Sequence, residues 1–233
     1  MMQVPNHLAV ILDGNRRWAK AHGLQSWEGH KHGAENFDKF LNWCLELGIP
    51  QVSAYVLSTE NLNRSKTEVK ELFRILYGYL EKWEKQKGDS LLDKYGVKVR
   101  FVGDLGKLPP KLLRLMGQIM RRTAKYQKRT LNIMIAYGSR FELTHVFKKV
   151  AEKAIKTGRI EITEKDIEAN LLVPVPVDLV IRTGGEERLS NFLLWQTAYS
   201  ELIFLPKLWP DFTKRDLIWC IKEFNRRQRR FGG

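Results

Sequence analysis

The sequence predicts a single α/β domain over residues 1–233, built on a central, mostly parallel sheet flanked by helices. Three observations carry this. Short apolar runs alternate with helically spaced ones along the chain, its 233 residues can bury a full core in one domain, and neither an internal repeat nor a low-complexity linker interrupts the alternation.

The elements follow in order. His7–Leu12 (HLAVIL) reads as a buried strand, and Phe37, Phe40, Leu41, Cys44 and Leu47 then recur at helical spacing up to a stop at Gly48. Gln51–Leu57 is a second strand, and Val69, Leu72, Phe73, Leu76, Leu80 and Trp83 mark one face of a long amphipathic helix over Thr67–Lys87. Val97–Gly103 is a strand, and Pro109–Pro110 opens a helix, where a missing N–H costs nothing. Leu131–Tyr137 is a strand, followed by a helix over Glu142–Lys156. Asp178–Thr183 and Glu201–Leu205 are the last strands, and Thr213–Arg229 the last helix.

Composition narrows the class. At 43% hydrophobic and 28% charged residues, the chain is of ordinary globular make-up. No run approaches the ~18 apolar residues of a membrane span, and polar, strand-like sequence follows Met1 too closely for a secretory signal. Cys44 and Cys220 both fall in helical patterns and read as buried thiols in a reducing compartment. Forty Lys and Arg against 26 Asp and Glu leave a net charge of +14. Such an excess suits nucleic acid, an anionic membrane or diphosphate substrates, and charge alone does not choose among them. The basic C-terminal segment holds only Phe224 and Phe231 as aromatics, few for a base-stacking surface.

In parallel α/β sheets ligands gather at the carboxyl ends of the strands. After the first strand comes Asp13-Gly14-Asn15-Arg16-Arg17-Trp18, where a glycine permits close backbone approach and two arginines offer charge-assisted contacts to phosphate. A carboxylate beside a phosphate cradle needs a cation between them, which makes Asp13 a candidate Mg2+ ligand shared with diphosphate oxygens. Taken alone, Asp-Gly-Asn is more simply a capped turn. Ser58–Arg64 (STENLNR) follows the second strand, and Arg182–Asn191 (RTGGEERLSN) follows the fifth, with Arg182, Arg188 and Ser190 able to converge on a second anion. Three anion-suited loops at strand ends are much stronger evidence than any one of them.

These segments, with GHKHGAENF, LNIMIAYGSR, SNFLLWQTAYSELIF and LWPDF, closely resemble the cis-prenyltransferase (undecaprenyl diphosphate synthase-like) family from about residue 7 to the terminal RRFGG. The resemblance implies an α/β fold with a hydrophobic product tunnel. It implies a Mg2+-dependent transferase that condenses isopentenyl diphosphate with an allylic primer, farnesyl or geranylgeranyl diphosphate. The product would be a Z-polyprenyl diphosphate for lipid-carrier synthesis. Asp13 then matches the metal-holding aspartate, with Glu201 as a second acidic residue implicated in metal binding. Gly14, Asn15, Arg16 and Arg17, with Trp18 beside them, match the allylic diphosphate cradle, and His30 a neighbouring catalytic histidine. Ser58, Glu60, Asn61 and Arg64 match the loop that closes over substrates, Asn61 being one suggestion for the proton-removing base and a diphosphate oxygen another. Arg182, Arg188 and Ser190 match the isopentenyl diphosphate site, and Arg230 the terminal motif that reaches a partner subunit's site. A homodimer is implied, its interface sought around Trp195–Leu205, with cytoplasmic residence, loose membrane attachment and no nucleic-acid partner.

Trp43, Phe73, Leu76, Leu80, Ile133 and Ile135 are the expected tunnel walls, and bulky Met134 and Ile135 at its floor would shorten the product. The sequence also departs from the family pattern. Ser26 stands where an arginine is common, Leu62 for a tryptophan, Ser65 for a proline, Ala136 and Ser139 within the usual NYGGR, and Glu187 for a histidine. A same-fold enzyme with a short or atypical product, or a supporting subunit of a heteromer, are the competing readings. Asp13, Asn61 and Arg64 speak against the supporting subunit.

Overall fold

The computed structural model describes residues 3–86, 88–158 and 161–227. Six parallel strands form one sheet in the order β3-β4-β2-β1-β5-β6, with β1 at His7–Ile11, β2 at Gln51–Ser58, β3 at Val97–Val102, β4 at Arg129–Tyr137, β5 at Leu179–Arg182 and β6 at Glu201–Phe204. Chain order and spatial order diverge on either side of β1, the kind of switch point where parallel sheets open a crevice. The helices are α1 (Asn15–Ala21), α2 (Ser26–Glu46), α3 (Lys66–Lys85), α4 (Leu91–Lys94), α5 (Pro110–Thr123), α6 (Ser139–Thr157), α7 (Glu164–Glu168) and α8 (Lys214–Arg226).

Alternating strand residues feed two cores. Leu8 and Val10, Val52 and Ala54, and Leu131, Ile133 and Ile135 face a large core closed by α2, α3, α5 and α8. Ala9, Ile11, Tyr55 and Met134 face the other side, where Val173, Val177, Phe192 and Leu193 cover the sheet. The period of two in the sequence is thus expressed directly. It also corrects one expectation: Met134 and Ile135 lie on opposite faces and cannot form one tunnel floor.

The long apolar stripe of α2 buries Phe37, Phe40, Leu41 and Cys44. Its start is earlier than the apolar spacing indicates, because Gln25 and Glu28 form a reciprocal capping box. Ser65, at the proline position of the family pattern, caps α3 by accepting from the Glu68 N–H at 3.3 Å. Ser139 is equally accounted for: buried, its Oγ accepts from the Leu194 N–H at 3.0 Å and ties α6 to the segment after β5. Cys44 and Cys220 are buried free thiols. Among the described residues no helix is long and apolar enough to cross a membrane.

Candidate active site

A cleft of about 1220 Å3 opens at the carboxyl ends of β1, β2 and β5. Its mouth is lined by Arg16, Arg17, Lys20, Arg64 and Arg182 against only two carboxylates, Asp13 and Glu60. Five cations to two anions make it a site for anionic ligand groups. Its inner arm runs between α2 and α3 past Phe37, Leu72, Ile75, Leu76 and Leu80, with Ile133 of β4 beneath. Leu76, Leu80 and Ile133 are therefore wall residues as the sequence suggested, whereas Trp43, Phe73 and Ile135 do not line the cleft and belong to the surrounding core.

Asp13 sits at the centre of the mouth. Its Oδ2 accepts from Arg182 Nη2 at 2.8 Å, and its Oδ1 lies 3.4 Å from Arg17 Nη2. Gly14 follows at φ 108, a conformation open to glycine, and an added Cβ would meet the Leu208 Cδ2 at 2.8 Å. Thr183 Oγ1 donates to the Asp13 carbonyl at 2.7 Å, so β1 and β5 deliver their end loops as one unit. Gly184, at φ 91, leaves the space that Arg17 occupies: a Cβ there would meet Arg17 Nη2 at 2.6 Å.

Arg182 is the most buried cation of the mouth, with 5% of its side chain exposed. Besides Asp13 it donates to Ser190 Oγ at 2.8 Å and to the Arg188 carbonyl. Ser190, Asn191 and Leu193 all adopt positive φ, at 49, 64 and 44. Such left-handed backbone is unfavourable for side-chain-bearing residues and clusters at ligand sites. Here it turns Ser190 toward Arg182 and Asn191 toward the 58–64 loop, where Asn191 Nδ2 donates to Glu60 Oε1 at 3.0 Å.

That loop closes on itself. Asn61 Oδ1 accepts from the Ser58 N–H at 3.1 Å, and the Asn61 N–H donates to Ser58 Oγ at 3.2 Å. Burial opposes ionisation of Glu60, but bonds from its own backbone N–H, Asn191, Ser58 and Thr59 outweigh it and hold the carboxyl below its usual range. Arg64 pairs with Glu68 at 2.9 Å, and the same carboxylate oxygen lies 3.6 Å from Arg16, so Glu68 joins loop, α3 and α1.

His30 lies beneath this group. Burial lowers its pKa to about 4, Arg64 and Arg16 push it the same way and Glu68 opposes them, so the ring is neutral at physiological pH. Its Nε2 is buried without a hydrogen-bond partner among the described residues, and so is the Asn15 Oδ1. Both atoms border the cleft.

Twelve of the residues read from the sequence thus meet here: Asp13, Gly14, Asn15, Arg16, Arg17, His30, Ser58, Glu60, Asn61, Arg64, Arg182 and Ser190. Three do not. Trp18 turns away, its indole N–H donating to Asp211 at 2.8 Å and its ring stacking on His22. Arg188 points outward to Glu186 at 2.6 Å. Glu201 begins β6 at the amino edge of the sheet, opposite to Asp13, and pairs with Arg227 at 3.0 Å. Arg230 lies outside the described residues. The reading missed Lys20, Asn191 and Glu68. Asn191 stands in a motif already singled out, but Lys20 and Glu68 are ordinary helix-face charges whose place only packing reveals.

A parallel α/β sheet carrying a cation-lined mouth that opens into an apolar arm suits a class of ligand with an anionic head and an apolar tail. The sequence signature of the undecaprenyl diphosphate synthase family matches residues 11–232. The chain is 44% identical to a tritrans,polycis-undecaprenyl-diphosphate synthase (geranylgeranyl-diphosphate specific) of Methanopyrus kandleri, over 99% of this chain and 85% of that one. It is 43% identical to an isoprenyl transferase of Thermotoga maritima, over 100% and 98%. Lavandulyl diphosphate synthase from Lavandula x intermedia, solved with dimethylallyl diphosphate, superposes with a TM-score of 0.91 at 35% identity, covering 99% of each chain. The chain belongs to the cis-prenyltransferase family and is a prenyl transferase.

Proposed function

We propose that the enzyme elongates an allylic diphosphate, geranylgeranyl or farnesyl diphosphate, with isopentenyl diphosphate to give a Z-polyprenyl diphosphate. One observation carries this: a single cleft joins a five-cation mouth to an apolar arm between α2 and α3. Two diphosphates brought side by side repel each other, and only a surplus of fixed positive charge makes their approach favourable.

The resemblance to the family supports a division of labour across the mouth. Asn15, Arg16, Arg17, Lys20 and neutral His30 border one part of the mouth and suit the allylic diphosphate, whose tail then enters the arm. Arg182 and Ser190 border the other and suit the isopentenyl diphosphate. Arg17 faces the leaving diphosphate and offsets the charge that grows there. Ser58, Glu60, Asn61 and Arg64 cover the reacting carbons and exclude water, which protects a cationic transition state. A diphosphate oxygen takes the proton lost after the new bond forms, since the Asn61 amide is too weak a base and its Oδ1 already accepts from the Ser58 N–H.

Among the described residues no group of three or more His, Cys, Asp or Glu side chains converges on one point. The donor set therefore suits Mg2+ held by Asp13 together with diphosphate oxygens and water, the usual way this ion is bound. Bound so, it would supply Lewis-acid stabilisation of the departing diphosphate. A homodimer through the face around Trp195–Leu205, and loose attachment to a membrane, suit the same reading.

Ser26 borders the cleft where the family pattern has an arginine, which favours a second reading, a shorter or atypical product. One assay separates them: labelled isopentenyl diphosphate, Mg2+ and allylic primers from C5 to C20, with products sized by chromatography. Ordinary elongation gives a ladder ending in a long polyprenyl diphosphate, best primed by the C20 or C15 compound. EDTA abolishes it, and Asp13→Ala slows it by about a hundredfold or more. Incorporation from the C5 primer alone, ending at one unit, would establish the atypical reading instead.

A further inference from the structure

The outer face of α8 has no role in the cleft, yet its composition is unusual. Leu217, Cys220, Ile221 and Phe224 turn inward and are buried in the large core. On the opposite side Arg215, Trp219, Lys222 and Arg226 form one exposed stripe at i, i+4, i+7 and i+11, and Trp219 is 52% exposed. The helix's carboxylates lie off this stripe and are engaged, Asp216 with Lys207 and Glu223 with Arg226 and Arg227. The stripe itself carries cations and an indole and no acid.

An exposed tryptophan flanked by cations is costly in water and suited to the boundary of an anionic bilayer. There the ring rests at headgroup level and each cation gains from the surface potential. The location adds a reason. α8 packs on the same side of the sheet as α2 and α3, which wall the apolar arm, and it is tied to α2 by the Lys214–Glu46 ion pair. The face suggested for a second copy of the chain, around Trp195–Leu205, touches the end of α8 through the bonds of Arg227 to Glu201 and to the Leu202 carbonyl, and Trp219 and Arg215 lie about two turns or more back along the helix.

We propose that the Arg215–Trp219–Lys222 face of α8 is the docking surface for an anionic lipid bilayer and holds the hydrocarbon-bearing side of the enzyme against the membrane that receives its product. The inference takes its motive from the proposed elongation, but vesicle binding is measured without substrate, so the two readings fail separately.

The test is co-sedimentation of the full chain with vesicles of phosphatidylcholine alone and of phosphatidylcholine containing about a third phosphatidylglycerol. The unmodified protein is expected to partition to the anionic vesicles and to be released by salt. The double variant Arg215→Glu/Lys222→Glu should lose about tenfold or more of that partitioning, and Trp219→Ser about fivefold, in line with roughly 1 kcal/mol per surface cation and the burial of one indole. Elongation in detergent should be unchanged in both, which also reports that they fold. Equal binding to neutral and anionic vesicles, or undiminished binding by the double variant, overturns the proposal. So does a change of oligomeric state in Trp219→Ser by light scattering, which would make the face a protein contact.

Discussion

Arg182 shows how much one side chain decides. Its planar fork meets Asp13, Ser190 Oγ and the Arg188 carbonyl at once, from a nearly buried position at the end of β5. A lysine keeps the charge but cannot make all three contacts. Arg182→Lys is therefore expected to raise KM for isopentenyl diphosphate about tenfold or more, the worth of one charge-assisted bond of roughly 1.5–3 kcal/mol. Steady-state kinetics at saturating primer would check this, and an unchanged KM would remove Arg182 from that subsite. His7 acts on stability alone. Its ring bonds Ser53 Oγ at 2.8 Å inside the sheet, and burial lowers its pKa from 6.5 to about 4. The neutral form is thus favoured in the fold, so its contribution is full above pH 6.5 and is lost as pH falls toward 4, by up to about 3 kcal/mol. Urea unfolding at pH 7.5 and pH 5 should show the decline, and His7→Asn should flatten it.

At the level of elements, the junction of the 58–64 loop with α3 is where sequence change and function meet. Ser65 caps α3, and in the first turn Glu68 binds Arg64 and approaches Arg16. Ser65→Ala should cost about 1 kcal/mol of stability. Because the cap also holds Glu68 in place, faster amide exchange should spread through residues 58–65. Confinement of the effect to α3 would show that the loop is held by other means. Ser139 and Ser65 looked like departures from a pattern; each turns out to make a specific hydrogen bond to a backbone N–H. Ala136, at φ 50 and fully buried, has no such explanation.

For the whole molecule, the charge of +14 is distributed to purpose. Five cations face the cleft and others stud the surface, many of them paired along helices. Raising ionic strength from about 0.05 to 0.5 M shortens the Debye length from over 10 Å to under 5 Å, so KM for both diphosphates should rise while kcat changes less. A salt-insensitive KM would mean that the mouth binds through short contacts alone. The two cores give the sheet two different faces, one holding the apolar arm, the other closed by the segment after β5 and by α6.

The fold class, the order of the six strands and the five longest helices were legible in the sequence from local signals: a period of two or of 3.6, a glycine at a turn, a polar loop after an apolar run. The short helices α1, α4 and α7 carry too few periodic residues to be read that way, and His30, with the roles of most of the twelve residues around the cleft, was reached through the resemblance to the family. The sequence even held the information that Glu201 opens its strand and so belongs to the amino edge of a parallel sheet, away from Asp13. It held as well, through the period of two, that Met134 and Ile135 face opposite sides of their strand. Packing between distant segments settled the rest: Trp18 turns to Asp211, and Glu68 and Lys20 come to serve the site. Neighbouring residues cannot report such placements, because a side chain's surroundings are set by which elements pack against it and not by its place in the chain.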